Sequence, residues 1–149
     1  MIEKIHNRVR WVGEGKLGGV NAALALAALY CAFQAATLTL VSWLAGTATT
    51  IDDAEQLIYV PYLWAGYGGS QPPLFTWIFW GFAQVLGPKL LTLKIIKYLL
   101  LFLTFFSVHR TLTLLGFSLL TASAGALGLM TMPQIFWESQ HTLTHSVAA

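Results

Sequence analysis

The charges of this chain are not spread along it. Its fourteen Lys, Arg, Asp and Glu residues fall into a few knots and leave four uncharged stretches, residues 17–51, 56–88, 98–109 and 111–137. Stretches of that length belong in hydrocarbon or against it, because a charge inside a bilayer is costly and is confined to helix borders and functional sites. Composition points the same way. Only 9% of the residues are charged and 56% are hydrophobic, against about 25% and about 45–50% in soluble domains. Too little charge remains to cover a water-facing surface. An ordinary soluble enzyme, a disordered chain and a basic nucleic-acid binder are excluded, and no nucleic-acid partner is expected. Net charge is only +2, so the basic isoelectric point reflects scarcity of charge rather than a basic face. The single cysteine, Cys31, lies inside an apolar run, which leaves no internal disulfide.

The knots mark the borders of membrane segments. Glu3, Lys4, Arg8, Arg10, Glu14 and Lys16 form a cytoplasmic N-terminal segment over 1–19. Residues 20–45 read as transmembrane helix 1, long enough to cross ~30 Å of hydrocarbon. A basic segment before an apolar run is also the pattern of a cleavable signal peptide. This run exceeds the 7–15 residues of a signal core, so it reads as a retained signal anchor. Residues 46–89 then form an extracytoplasmic loop with juxtamembrane helices. Within it, the aromatic block from Pro73 to Phe82 continues to Leu86. Leu74–Leu86 makes only ~20 Å of helix, too short to span and suited to the membrane surface, where Trp and Tyr concentrate.

Residues 90–112 are expected to form transmembrane helix 2, with Lys94 and Lys97 snorkelling out at one end and Arg110 at the other. Residues 117–137 are expected to form helix 3. Gly125 and Gly128, with Ser123 and Ala126, give it a small-residue face, and Pro133 kinks its outer end. Residues 138–149 close the sequence as an outer segment. The predicted fold class is all-α integral membrane, with about three spans. One feature opposes this count: three spans put Lys89, Lys94 and Lys97 outside, against the positive-inside tendency, whereas four spans would make them cytoplasmic.

Most of the chemistry lies in the first outer loop, where Asp52, Asp53 and Glu55 cluster. One reading is a helix start, with Asp52 as N-cap and Glu55 three residues later. The other is a carboxylate base at the membrane surface, able to take a proton from an acceptor hydroxyl or amine as a bond forms to a sugar. A divalent metal is an option left open, although no compact His/Cys/carboxylate spacing is present. His141 and His145 would share one face of a continuing helix.

The order of the pieces is similar to the start of a GT-C glycosyltransferase. An anchor helix precedes Asp52-Asp53-Ala54-Glu55, then Gly66-Tyr67 and Pro72-Pro73-Leu74-Phe75-Thr76-Trp77. Leu86-Gly87-Pro88, Leu93-Lys94 and finally Trp137-Glu138-Ser139-Gln140 follow. More narrowly, the chain resembles the bacterial glycosyltransferase family 39 group of protein O-mannosyltransferase-like and aminoarabinose transferase-like enzymes. The resemblance implies a hexosyl- or pentosyltransferase in the bacterial cytoplasmic membrane, facing outward. It implies a sugar donor on a polyprenyl phosphate and a lipid, glycan or protein acceptor. It assigns the catalytic carboxylate to Asp52, support to Asp53 and Glu55, donor phosphate contacts to Lys94 and Lys97, and the site rim to Glu138 and His145. Ser70-Gln71 stands where some relatives carry a charged residue, which leaves the donor sugar open. Enzymes of this group are much longer, so the chain is expected to be the opening part of one and inactive alone. A small non-catalytic membrane subunit, packed against a larger transporter or enzyme, is the alternative.

Overall fold

The computed structural model describes residues 7, 11–17, 20–46, 50–67, 73–133 and 135. A two-residue antiparallel ladder, β1 (Lys16–Leu17) with β2 (Val20–Asn21), precedes five helices: α1 (Ala22–Ala45), α2 (Ile51–Tyr59), α3 (Pro73–Leu86), α4 (Leu90–Leu114) and α5 (Leu119–Gly128). The fold is all-α in its essentials and compatible with a membrane. Among the described residues two helices, α1 of 24 residues and α4 of 25, are long and apolar enough to cross one.

Local chemistry sets the ends of these helices. Asn21 caps α1, its Oδ1 accepting from the amides of Ala23 (2.9 Å) and Leu24 (3.4 Å). Gly46 ends α1 in the left-handed region at φ 66°, its amide donating to the carbonyls of Ser42 and Trp43. Between α3 and α4 the chain reverses in three residues, Gly87-Pro88-Lys89, and Thr92 Oγ1 donates to the Gly87 carbonyl at 2.9 Å. After α4, Gly116 turns the chain at φ 84° and Ser118 caps α5.

Helices α1 and α4 pack antiparallel. Trp43 and Gly46, late in α1, face the same crevice as Lys89 and Leu91 at the start of α4. The core between them sets small groups, Ala27 and Cys31, against Tyr98, Leu101 and Phe105. Small residues on one helix let the large ones of the other close in, the usual packing where lipid is as apolar as the side chains. A second cluster gathers Val60, Phe75, Phe79, Ala83, Leu93 and Ile96, and so seats the end of α2 and all of α3 on the first third of α4.

At the opposite end, polar groups draw the N-terminal segment onto the bundle. The Gly13 carbonyl accepts from Asn21 Nδ2 (3.0 Å) and Ser123 Oγ (2.8 Å), and Ser123 Oγ lies 3.4 Å from His109 Nε2.

Several expectations change. Lys94 and Lys97 do not snorkel: both are fully buried in the protein, because each finds partners inside the fold. Arg110 is exposed. The third apolar stretch opens as α5 and continues as one 3-10 turn, Leu129–Thr131, and residues 134, 136 and 137 of the expected helix lie outside the described residues. Met132 is extended (ψ 124°), as the residue before Pro133 prefers, so the helical path is interrupted just before the proline. Of its two glycines, Gly125 admits Leu112, whose Cδ1 would lie 2.6 Å from an added Cβ, whereas Gly128 has open space. Replacing Asn21 by Ala removes the cap of α1 and the tie to Gly13. It should cost about 0.5–2 kcal/mol, read as a lower melting temperature of the detergent-solubilised protein.

Candidate functional site

Helix α2 carries the acidic knot, and its capping differs from the expected pattern. The N-cap is Thr50, not Asp52: the Thr50 hydroxyl accepts from the Asp53 amide at 3.2 Å. A hydroxyl at position 50 satisfies the helix start, which leaves the carboxylates of Asp52 and Asp53 in the first turn, where the helix dipole favours negative charge. A residue three places after a Ser or Thr cap often folds back onto the cap amide. Asp53 reaches across instead.

Lys94 Nζ donates to Asp53 Oδ2 at 2.6 Å, with the two side chains 0% and 1% exposed. The pair joins residues 41 positions apart and fixes the start of α2 against the second turn of α4. One turn along the same face of α2, Gln56 is also fully buried, and its Oε1 accepts from Thr76 Oγ1 of α3 at 2.9 Å. Val60, seven residues after Asp53, completes that face. Three contacts of different chemistry therefore hold α2 down: an ion pair, a buried hydrogen bond and an apolar plug.

Asp52 and Glu55 lie off this face and are half-buried. The fold thus divides the acidic knot. Asp53 is spent on holding the helix, while Asp52 and Glu55 lie toward the outside of the packing. Lys97, one turn beyond Lys94, lies within 6.0 Å of the Tyr98 ring centroid. Glu138 and His145, expected at the site rim, and His141 lie outside the described residues, as does Ser70-Gln71. Among the described residues no three His, Cys, Asp or Glu side chains are arranged so that they could hold a metal ion.

The chain leaving α2 folds into an aromatic loop. The Tyr67 hydroxyl donates to the Tyr62 carbonyl (2.6 Å) and accepts from the Trp64 amide (3.3 Å). Tyr62 and Trp64 stack with centroids 4.9 Å apart, and Trp77 Nε1 of α3 donates to the Trp64 carbonyl at 2.7 Å. Loop and helix α3 are therefore tied through the Trp77 indole and the Trp64 backbone carbonyl, and Tyr62, Trp64 and Trp77 remain substantially exposed.

Sequence reasoning missed Gln56, Thr76 and the pairing of Lys94. The signal was present at positions 53, 56 and 60, one helix face that an apolar count alone overlooks.

Two curated proteins are similar to the chain. It is 39% identical over 98 residues to the lipopolysaccharide core galacturonosyltransferase RgtB of Rhizobium johnstonii, covering 66% of this chain and 20% of that protein. It is 37% identical over 100 residues to the lipopolysaccharide core galacturonosyltransferase RgtA of the same organism, covering 66% and 19%. The chain thus spans about a fifth of the length of the curated relatives it matches. No family model matches it, and no solved structure does.

Replacing Lys94 by Met leaves the Asp53 carboxylate buried without its lysine and should cost about 3–5 kcal/mol. Lys94→Met combined with Asp53→Leu should recover most of that loss, since two apolar groups of similar volume substitute well for a buried pair. Melting temperatures of the three proteins in detergent check this.

Proposed function

We propose that the chain is part of an integral membrane glycosyltransferase of GT-C type, similar to the family 39 group. It serves transfer of a sugar from a polyprenyl-phosphate donor to a lipid or glycan acceptor on the outer face of a bacterial cytoplasmic membrane. The observation that carries this reading is the identity of 37–39% over two thirds of the chain to two lipopolysaccharide core galacturonosyltransferases. A galacturonosyl donor and a lipopolysaccharide core acceptor follow as the first candidates to assay.

Asp52 is the base in this reading. As a sugar acceptor hydroxyl attacks the anomeric carbon, its proton moves to the Asp52 carboxylate, and the lipid phosphate departs with the electrons of the broken bond. Such a group has to be both held and reachable. Asp53 and Lys94 hold it by anchoring the neighbouring residue, and the half-buried setting of Asp52 leaves it reachable. Glu55, on the same short helix, adds negative charge near the acceptor. Lys94 and Lys97 enter this reading through the charge they bring beneath α2. The N-terminal segment is cytoplasmic, and the apolar stretch that contains α5 completes a third crossing. Helix α3 and the aromatic loop lie in the interface, where amphipathic indole and phenol rings are favoured.

Asp52→Asn introduced at the chromosomal locus should lower transfer at least about 100-fold, the lower range for a lost general base, with normal membrane insertion. Mass analysis of the envelope glycolipids reads the product, and unchanged product would overturn the assignment of Asp52. Topology is checked separately: with Cys31→Ser as background, Lys89→Cys should react with an impermeant thiol reagent added outside intact cells. Reaction only after the membrane is opened would place residue 89 in the cytoplasm and remove the proposed orientation.

A further inference from the structure

The loop between α2 and α3 holds exposed rings more firmly than membrane anchoring requires. Tyr62 and Trp64 are 51% and 50% exposed, yet every backbone polar group of both residues is bonded. The Tyr62 amide donates to the Tyr59 carbonyl at 3.0 Å, and the Tyr62 carbonyl accepts from the Tyr67 hydroxyl. The Trp64 amide donates to that same hydroxyl, and the Trp64 carbonyl accepts from Trp77 Nε1. A ring that only anchors keeps its polar tip for water and headgroups. Here Tyr67 and Trp77 turn theirs onto loop carbonyls, which fixes the residues that carry the exposed rings.

The rings also pack in series. Tyr62 stacks on Trp64 (4.9 Å, 16°), Trp64 lies 5.9 Å from Tyr67, and Tyr67 lies 5.3 Å from Tyr59 at the end of α2. Trp64 further walls a crevice of about 530 Å³ with Leu63, Ala65, Trp77 and Trp80, a size usual for small-molecule sites. Charge narrows what it can hold. Residues 56–88 contain no Lys, Arg, Asp or Glu, so a phosphate, carboxylate or ammonium would lose hydration there without a charged partner on this segment. An acyl chain is neutral too, but its many rotors must be ordered against a wall this stiff. What fits is uncharged and rigid, apolar on one face and hydrated at its edge. A pyranose has that form: its C–H bonds, slightly positive, meet the negative faces of aromatic rings, and its hydroxyls line the edge.

We infer that this crevice binds an uncharged pyranose ring of a glycan, with the C–H face on the indoles of Trp64, Trp77 and Trp80 and the hydroxyls in water at the rim. Tyr62, stacked on Trp64, stiffens that wall. Helix α2 links the crevice to the acidic knot, rising roughly 10 Å from Asp52 to Tyr59, a span of a few sugar units. The assignment to an inner sugar of the acceptor rests on the transferase reading above, whereas binding itself rests on ring geometry and charge.

The test is saturation-transfer NMR on the full chain in phosphatidylcholine nanodiscs, irradiating aromatic protons and reading sugar C–H signals. The probes are the methyl glycosides of glucose, galactose and mannose, with sorbitol, adenosine and tetramethylammonium as controls. Saturable binding of at least one glycoside is expected, weakened about tenfold by Trp64→Leu and several-fold by Tyr62→Leu. The loop bonds from residues 62 and 64 are backbone bonds and remain in both variants. Trp64→Phe, which keeps a ring, should restore part of the affinity, and Trp43→Leu, which removes an exposed indole at the end of α1, should change nothing. Preference among the glycosides identifies the sugar and supports the site. Phospholipid is in large excess in the disc, so a crevice that belongs to lipid shows no saturable glycoside binding, which would overturn the inference. Sorbitol, adenosine or tetramethylammonium binding as tightly as every glycoside would overturn it too, as would affinity unmoved by Trp64→Leu or lowered equally by Trp43→Leu. Binding involves no transfer step, so the two readings fail separately. Trp64-dependent glycoside binding in a protein without transfer activity removes only the proposed enzyme, and transfer with no Trp64-dependent binding removes only this site.

Discussion

The structure turns on the buried bond between Asp53 and Lys94. Each of these ions alone would be expensive to hold away from water, and their attraction offsets that cost only while the geometry is good. At 2.6 Å, with both side chains essentially unexposed, the geometry is good. The consequence is positional more than energetic. A nine-residue helix has little stability of its own, and most of what keeps α2 in place is tertiary contact. An ion pair has one low-energy arrangement, whereas apolar surfaces can slide. The Asp53–Lys94 bond therefore sets the register of α2 on α4, and Gln56 with Thr76 and Val60 with its apolar neighbours fill in around it. Asp52 inherits its place from this arrangement.

The two ends of the α1–α4 pair are secured by different means. At the end bearing α2, charge and aromatic hydrogen bonds dominate: Asp53 with Lys94, Trp77 with Trp64, Tyr67 with Tyr62. At the other end, neutral groups converge on one backbone carbonyl, that of Gly13, which serves both Asn21 and Ser123. Between the ends the contact is apolar and depends on size, with Ala27 and Cys31 facing Tyr98 and Phe105. Such a division suits a chain in a bilayer. The middle gains little from specific polar bonds, while the ends, near water, can use them without leaving donors stranded.

The comparisons and the geometry bear on different things. Similarity to two galacturonosyltransferases concerns about a fifth of their length. It supports the class of chemistry, whereas the local structure shows how the acidic residues of the loop helix are placed. Of the three acidic residues in the loop helix, Asp53 is committed to Lys94, and Asp52 and Glu55 lie off the packed face. Of the three lysines opening α4, Lys89 alone is exposed.

By itself the sequence determined which stretches form long apolar helices. The uncharged stretch over 17–51 holds α1, residues 90–112 were expected to be the second long helix and are found within 90–114, and the short aromatic helix over 73–86 follows from length and Pro placement. It also pointed to the acidic knot. Tertiary structure alone decided the rest. Asp53 is drawn to a lysine 41 residues later, a partner that no local pattern names. Lys94 and Lys97 read as surface anchors because a lone lysine near a helix end escapes to water, and only a carboxylate delivered by another helix makes the interior competitive for Lys94. Periodicity and composition record what each residue prefers alone. Pairing records what it prefers once a distant partner has been brought within reach, and that is a property of the fold.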